Sequence, residues 1–165
     1  MISYPQRLIF KHRGGSVLVD SNLLLLWFVG VFRRELIGTY KRLNTFSPED
    51  FDLLAEFLKS FRKIVTTPNI LTEVSNLSGA LTDHIKPHYF ASFTNSLDLL
   101  QEEYVRTTEA AANPLFFRLG LTDAVIATVA ARPILVITTD FELYYRLQGL
   151  GVDVVNFNHQ RRFSA

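Results

Sequence analysis

The chain has 165 residues, 48% of them hydrophobic and 20% charged, with 17 basic against 16 acidic side chains and a formal net charge of +1. A chain of this length builds one domain with a sizeable core, and its apolar content excludes an intrinsically disordered polymer. The absence of cysteine excludes a disulfide framework, a thiolate nucleophile and cysteine-ligated zinc or iron–sulfur sites.

In chain order, residues 1–15 form a basic leader with Arg7, Lys11, Arg13 and no acid, read as a solvated, frayed terminus. Ser16–Asp20 (SVLVD) is a β-branched run that predicts a first strand ending in a carboxylate. Asn22–Arg42 predicts a long helix, apolar at first and basic toward its end, where cations suit the helix dipole. Its apolar run Leu23–Phe32 is shorter than the ~17–25 residues of a membrane-spanning helix, and no signal cleavage site follows it. It therefore reads as a buried helix of a soluble, cytoplasmic protein. Ser47-Pro48-Glu49-Asp50 carries helix-start chemistry, with Phe51, Leu54, Phe57, Leu58 and Phe61 marking the core face behind it. Lys63–Thr67 predicts a second strand, and Thr67-Pro68 opens a helix through about Asn76. His88–Glu102 reads as a helix and Glu103–Thr107 as a weaker strand. Thr122–Ala131 is a helix stopped by Pro133, and Arg132–Asp140 (RPILVITTD) is the clearest strand. A helix over Phe141–Leu147 ends at Gly149 and Gly151, a last strand covers Val152–Phe157, and a tail occupies 159–165.

Near-continuous apolar strands alternating with helices predict a parallel sheet covered on both faces, a three-layer α/β domain. No linker or repeat divides it, so 1–165 is a single domain. In such a sheet the strand carboxyl ends and following helix amino ends share one edge, where ligands bind. Asp20 and Asp140 end the first and fourth strands, Asp123 opens the helix before the fourth, and Glu73 lies early in the helix after the second. Each aspartate alone is explained by helix capping. Together, carboxylates on one edge repel one another unless a cation neutralises them. Oxygen-only donors, with His12, His84, His88 and His159 scattered, favour Mg²⁺ or Mn²⁺ over zinc.

The segments VLVDSNLLL (17–25), TTPNILTEV (66–74), LGLTDAVIATVA (119–130) and VITTDFELYYRLQGLGVDVVNF (136–157) resemble PIN-domain ribonucleases, with the similarity spread from about Val17 to Phe157. The resemblance implies a five-stranded sheet of order 3-2-1-4-5 and an acidic metal site at Asp20, Glu73, Asp123 and Asp140. Asn22 matches the position two after the first acid, Thr139 the small hydroxyl residue before the last, and Thr122 a less regular position beside the third.

From these residue types the expected activity is Mg²⁺- or Mn²⁺-dependent hydrolysis of RNA phosphodiester bonds. Asp20, Asp123 and Asp140 are the expected metal ligands. Glu73 would orient or deprotonate the attacking water, or join the coordination, and Asn22 and Thr139 would fix carboxylate rotamers. Candidate RNA contacts are Arg118 first, then Arg34, with Arg33, Lys41 and Arg42 behind them. Phe116-Phe117 and Tyr144-Tyr145 offer stacking surfaces, at least one member of each pair being spent on the core. The resemblance also implies partners: an RNA substrate, an antitoxin protein if the chain is a toxin, and a second copy in a homodimer. The basic leader, the long apolar first helix and the extended Ser75–His88 connection depart from the toxin pattern. The alternative is a non-catalytic PIN module that binds RNA or a protein. A phosphoacceptor receiver domain would want adjacent acids after the first strand, and a haloacid-dehalogenase-type phosphatase a second Asp where Asn22 stands.

Overall fold

The computed structural model describes residues 1–161. Five short runs pair as an all-parallel sheet: β1 (Ser16–Val19), β2 (Lys63–Thr66), β3 (Leu100–Glu102), β4 (Leu135–Thr138) and β5 (Val154–Asn156). Their spatial order is 3-2-1-4-5, with β1 at the centre. Val17, Leu18 and Val19, and the whole of β4, are buried, as strands covered on both faces must be. Among the described residues ten α-helices flank the sheet: α1 (Tyr4–His12), α2 (Ser21–Arg33), α3 (Pro48–Leu58), α4 (Pro68–Ser78), α5 (Lys86–Leu97), α6 (Thr107–Ala111), α7 (Phe116–Leu119), α8 (Leu121–Val129), α9 (Phe141–Gly149) and α10 (Phe157–Arg161). The three-layer α/β architecture and the strand order therefore stand as expected.

Helix α2 is the spine of one layer. Leu23 through Gly30 are buried without interruption, the pattern of a helix covered on every side. No helix among the described residues is long and apolar enough to cross a membrane. Gly30 costs about 1 kcal/mol relative to alanine in a helix interior, yet no other residue fits. A Cβ there would lie 2.1 Å from the Phe51 ring of α3.

Several elements differ from the sequence expectation. The leader is no frayed coil. Residues 4–12 form a helix opened by a capping box, in which the Ser3 N–H donates to Gln6 Oε1 (2.9 Å) and the Gln6 N–H to Ser3 Oγ (3.4 Å). Leu8 and His12 of that helix are buried against the sheet. The helix expected over Asn22–Arg42 stops at Arg33, whose backbone turns extended (φ −160°, ψ 100°). Two 3₁₀ turns follow, Arg34–Gly38 and Lys41–Leu43. Ile37, Tyr40 and Leu43 are the buried positions, and their spacing of three suits a threefold helix better than an α-helix. The helix expected to reach Glu102 ends at Leu97, and the third strand lies at 100–102 instead of 103–107. The edge is extended by one bond, from the Glu103 N–H to Thr66 O (2.9 Å), after which Tyr104 faces solvent. α10 takes up the start of the expected tail, and 162–165 lie outside the described residues.

At the amino edge of the sheet, Asp153 accepts from Lys11 Nζ (2.6 Å) and pairs with His12 Nε2 (2.7 Å), fastening α1 to the approach to β5. Burial pushes the Asp153 carboxyl up, but the hydrogen bonds from Lys11 and His12 outweigh this and hold it below its ordinary value. A lowered carboxyl pKa stabilises the fold fully above the unfolded value near 3.8 and loses that contribution as pH falls from there through the lower folded value. Urea unfolding should thus show Asp153→Asn weakened by about 1 kcal/mol at pH 7, with the gap to wild type closing toward pH 3. Gly30→Ala should lose about 1–3 kcal/mol at every pH, because the Phe51 ring is overpacked. Unchanged unfolding midpoints would overturn either account.

Candidate active site

All four expected acids reach the carboxyl edge of the sheet, where they line one pocket of about 330 Å³. Asp20 follows β1 directly and caps α2, its Oδ1 accepting from the Leu23 N–H (3.0 Å). Its Oδ2 accepts from the Thr139 N–H (2.9 Å) and from the Thr138 hydroxyl. Asp20 is only 5% exposed. Burial raises its pKa, hydrogen bonds from Thr138, Leu23 and Thr139 oppose the rise, and Asp140 adds to it.

Asp140 repeats this arrangement at the end of β4. It caps α9 through Oδ1, which accepts from the Leu143 N–H (2.9 Å). Its own N–H donates to Thr138 Oγ1 (3.0 Å). The Thr138 hydroxyl is therefore a hub between two strand-end acids.

Asp123 enters from the first turn of α8. Gly120, at φ +86° and ψ −176°, makes the reversal from α7 into α8, and a side chain there would be strained. Among the described residues no donor reaches the Asp123 carboxylate. Burial first, then the charges of Asp140, Glu73, Asp20 and Glu142, push its pKa up to about 7. Glu73 comes from α4 and is exposed; its Oε2 accepts from Ser21 Oγ (2.6 Å) and its Oε1 from Thr122 Oγ1 (2.5 Å).

The carboxylate supports are not the expected pair. Among the described residues the Asn22 amide bonds none of the four acids, and Thr139 reaches Asp20 through its backbone N–H instead of its hydroxyl. Ser21, Thr122 and Thr138 supply the hydroxyl donors in their place. The pleat of β4 explains the last substitution, since successive side chains point to opposite faces and only one of two adjacent threonines can face Asp20.

The expected RNA contacts are also partly spent. Arg34 forks onto Asp52 (2.9 and 2.7 Å) on the α2–α3 surface, and Arg118 is paired with Glu142 (2.6 Å). Neither lines the acid pocket. Phe117 and Tyr145 are exposed at 91% and 62%, while Tyr144 is buried and Phe116 packs against the core.

Carboxylate oxygens are the hard donors that Mg²⁺ and Mn²⁺ take, and among the described residues no Lys or Arg lines the pocket to neutralise them. The donor set therefore fits such an ion. Among the described residues, however, no three acidic or imidazole side chains stand close enough together to form a finished metal cage. No family model, curated protein or solved structure matches the chain.

A raised carboxyl pKa costs stability once the group ionises. The penalty is absent below the unfolded pKa and complete above the folded one, here about 7. In EDTA, Asp123→Asn should melt higher than wild type at pH 8, by about 1–2 kcal/mol after allowance for solvent screening, and should match it near pH 4. A pH-independent difference would reject the electrostatic origin.

Proposed function

We propose that the chain is a divalent-metal-dependent ribonuclease of the PIN type, hydrolysing RNA phosphodiester bonds at the acid pocket. The observation that supports this reading most directly is the meeting of Asp20, Glu73, Asp123 and Asp140 in one pocket, from elements spread over more than a hundred residues. Asp20, Asp123 and Asp140 would hold Mg²⁺ or Mn²⁺. The ion, when bound, supplies Lewis-acid polarisation of the phosphoryl oxygens and acidifies water.

The chain's own groups set the stage for that chemistry. Asp20 is held in one rotamer by its cap and by the Thr138 hydroxyl, and Asp140 by its cap, while Thr138 also fixes the Asp140 backbone, so little reorganisation is needed as charge develops. Among the described residues Asp123 is the carboxylate without a protein donor, and it gains most from a cation. Glu73 is fixed by Ser21 and Thr122, yet each of its oxygens keeps a second acceptor site with which to orient water.

The rival reading is a non-catalytic PIN module that binds RNA or a protein, and the absence of a closed cage among the described residues is the observation in its favour. In the toxin form of the main reading, an antitoxin chain would cover the pocket, and a second copy would be the dimer partner. Cleavage of a single-stranded RNA should require Mg²⁺ or Mn²⁺ and stop in EDTA. Asp20→Asn and Asp123→Asn should each lower the rate by at least about 100-fold. An Asp20→Ala chain that still cleaves at the wild-type rate would refute the assignment, and RNA binding without cleavage by wild type would establish the rival.

A further inference from the structure

Beside the acid pocket lies a second cavity of about 300 Å³, close to the lower bound of the roughly 300–1,000 Å³ typical of ligand sites. The two share Asn22 as a wall. They also adjoin through Thr139 and Asp140, consecutive residues whose Cα atoms are about 3.8 Å apart. Their chemistry is opposite. Among the described residues the first is lined by four acids and no Lys or Arg, and the second by Arg42 and Arg161 and no acid.

Arg161 is committed: it donates to Asp50 (2.9 Å) and Thr45 O (2.6 Å), and its guanidinium stacks on Phe46. Asn158 is committed as well, donating to Thr139 O (3.1 Å) and accepting from Arg161 (3.2 Å). These bonds build a firm wall. The remaining lining groups are not spent in this way. Among the described residues Arg42 makes no ion pair, and the side chains of Asn22, Asn44 and Thr139 make no hydrogen bond. One guanidinium, which also lines a neighbouring cavity beside Tyr40, two amides and a hydroxyl thus border a polar cavity of about 300 Å³.

We infer that this cavity seats the ribose–phosphate unit adjoining the scissile bond, with Arg42 as its phosphate contact and Asn22, Asn44 and Thr139 as hydrogen-bonding neighbours. The inference rests on the ribonuclease reading for the identity of the chain that enters. A phosphodiester strand carries one negative charge per nucleotide, so a run across both cavities puts one phosphate among cation-seeking acids and the next beside an unpaired guanidinium. Arg161 already covers one face of Phe46, so the cavity's free groups are those that suit a sugar–phosphate backbone more than a stacked base. The side chains of Asn22 and Thr139 are free of the carboxylates because they belong to this second wall.

The test measures RNA binding and RNA cleavage separately, on the full chain. Binding is followed by fluorescence anisotropy of a labelled single-stranded RNA in Ca²⁺ across a salt series, and cleavage in Mn²⁺. Arg42→Ala should weaken binding about tenfold, flatten the salt dependence by about 0.7 in the log–log slope, and raise KM with little change in kcat. Asn44→Asp, an exposed change that preserves shape and adds a repelling charge, should do the same. Arg13→Ala, an exposed cation at the opposite edge of the sheet, should leave all three unchanged. Wild-type binding by both Arg42→Ala and Asn44→Asp would overturn the subsite, even if Asp20→Asn abolishes cleavage. Loss of binding in those variants, in a protein that cleaves nothing, would retain the subsite and remove the hydrolytic reading. Equal losses in Arg13→Ala would reduce the effect to overall charge and overturn the subsite.

Discussion

The buried carboxylate of Asp20 is the constraint around which the structure is arranged. A charged group that is almost fully excluded from water is tolerated only when its oxygens are bonded. Here they are bonded by three different pieces of chain: the first turn of α2, the Thr138 side chain and the Thr139 backbone. Those bonds hold the start of α2 against the end of β4, the central strand's neighbour. The same Thr138 hydroxyl receives the Asp140 N–H, so the geometry of one acid carries over to the next. Asp123, which among the described residues has no donor of its own, is left with both burial and the charge of its neighbours uncompensated, and its pKa is raised by burial first and by that repulsion second.

The opposite edge of the sheet is held differently. There Lys11 and His12 meet Asp153 in a compensated cluster that contributes to stability. The two edges illustrate a division of labour within one sheet: paired charge where the chain is fastened, unpaired charge where a ligand is expected. Between them α2 runs buried from Leu23 to Gly30, and the missing side chain of Gly30 leaves room for the Phe51 ring of α3.

The parallel sheet and the meeting of the four acids were legible because both follow from local signals read through one topological rule. Apolar strand runs end in Asp20 and Asp140, and helix-opening positions hold Asp123 and Glu73. The supporting hydroxyls were less legible. Choosing between Thr138 and Thr139 needs the pleat phase of β4, which two adjacent threonines do not reveal. The fate of the arginines was hidden for another reason. Arg34 and Arg118 are spent on Asp52 and Glu142, partners 18 and 24 positions away that only the folded chain brings near. Arg42 gains its interest by lacking an ion-pair partner among the described residues. By contrast, α1 was readable: Ser3, Pro5 and Gln6 are a local helix-start signature, overshadowed by the basic character of the segment.

The bond between Arg161 and the Thr45–Asp50 segment joins positions 111 to 116 residues apart. Among the described residues none of those lining the acid pocket lies on α10, whereas two of those lining the second cavity do, Asn158 and Arg161. Fraying of that helix would therefore loosen the second cavity and leave the acids where they stand.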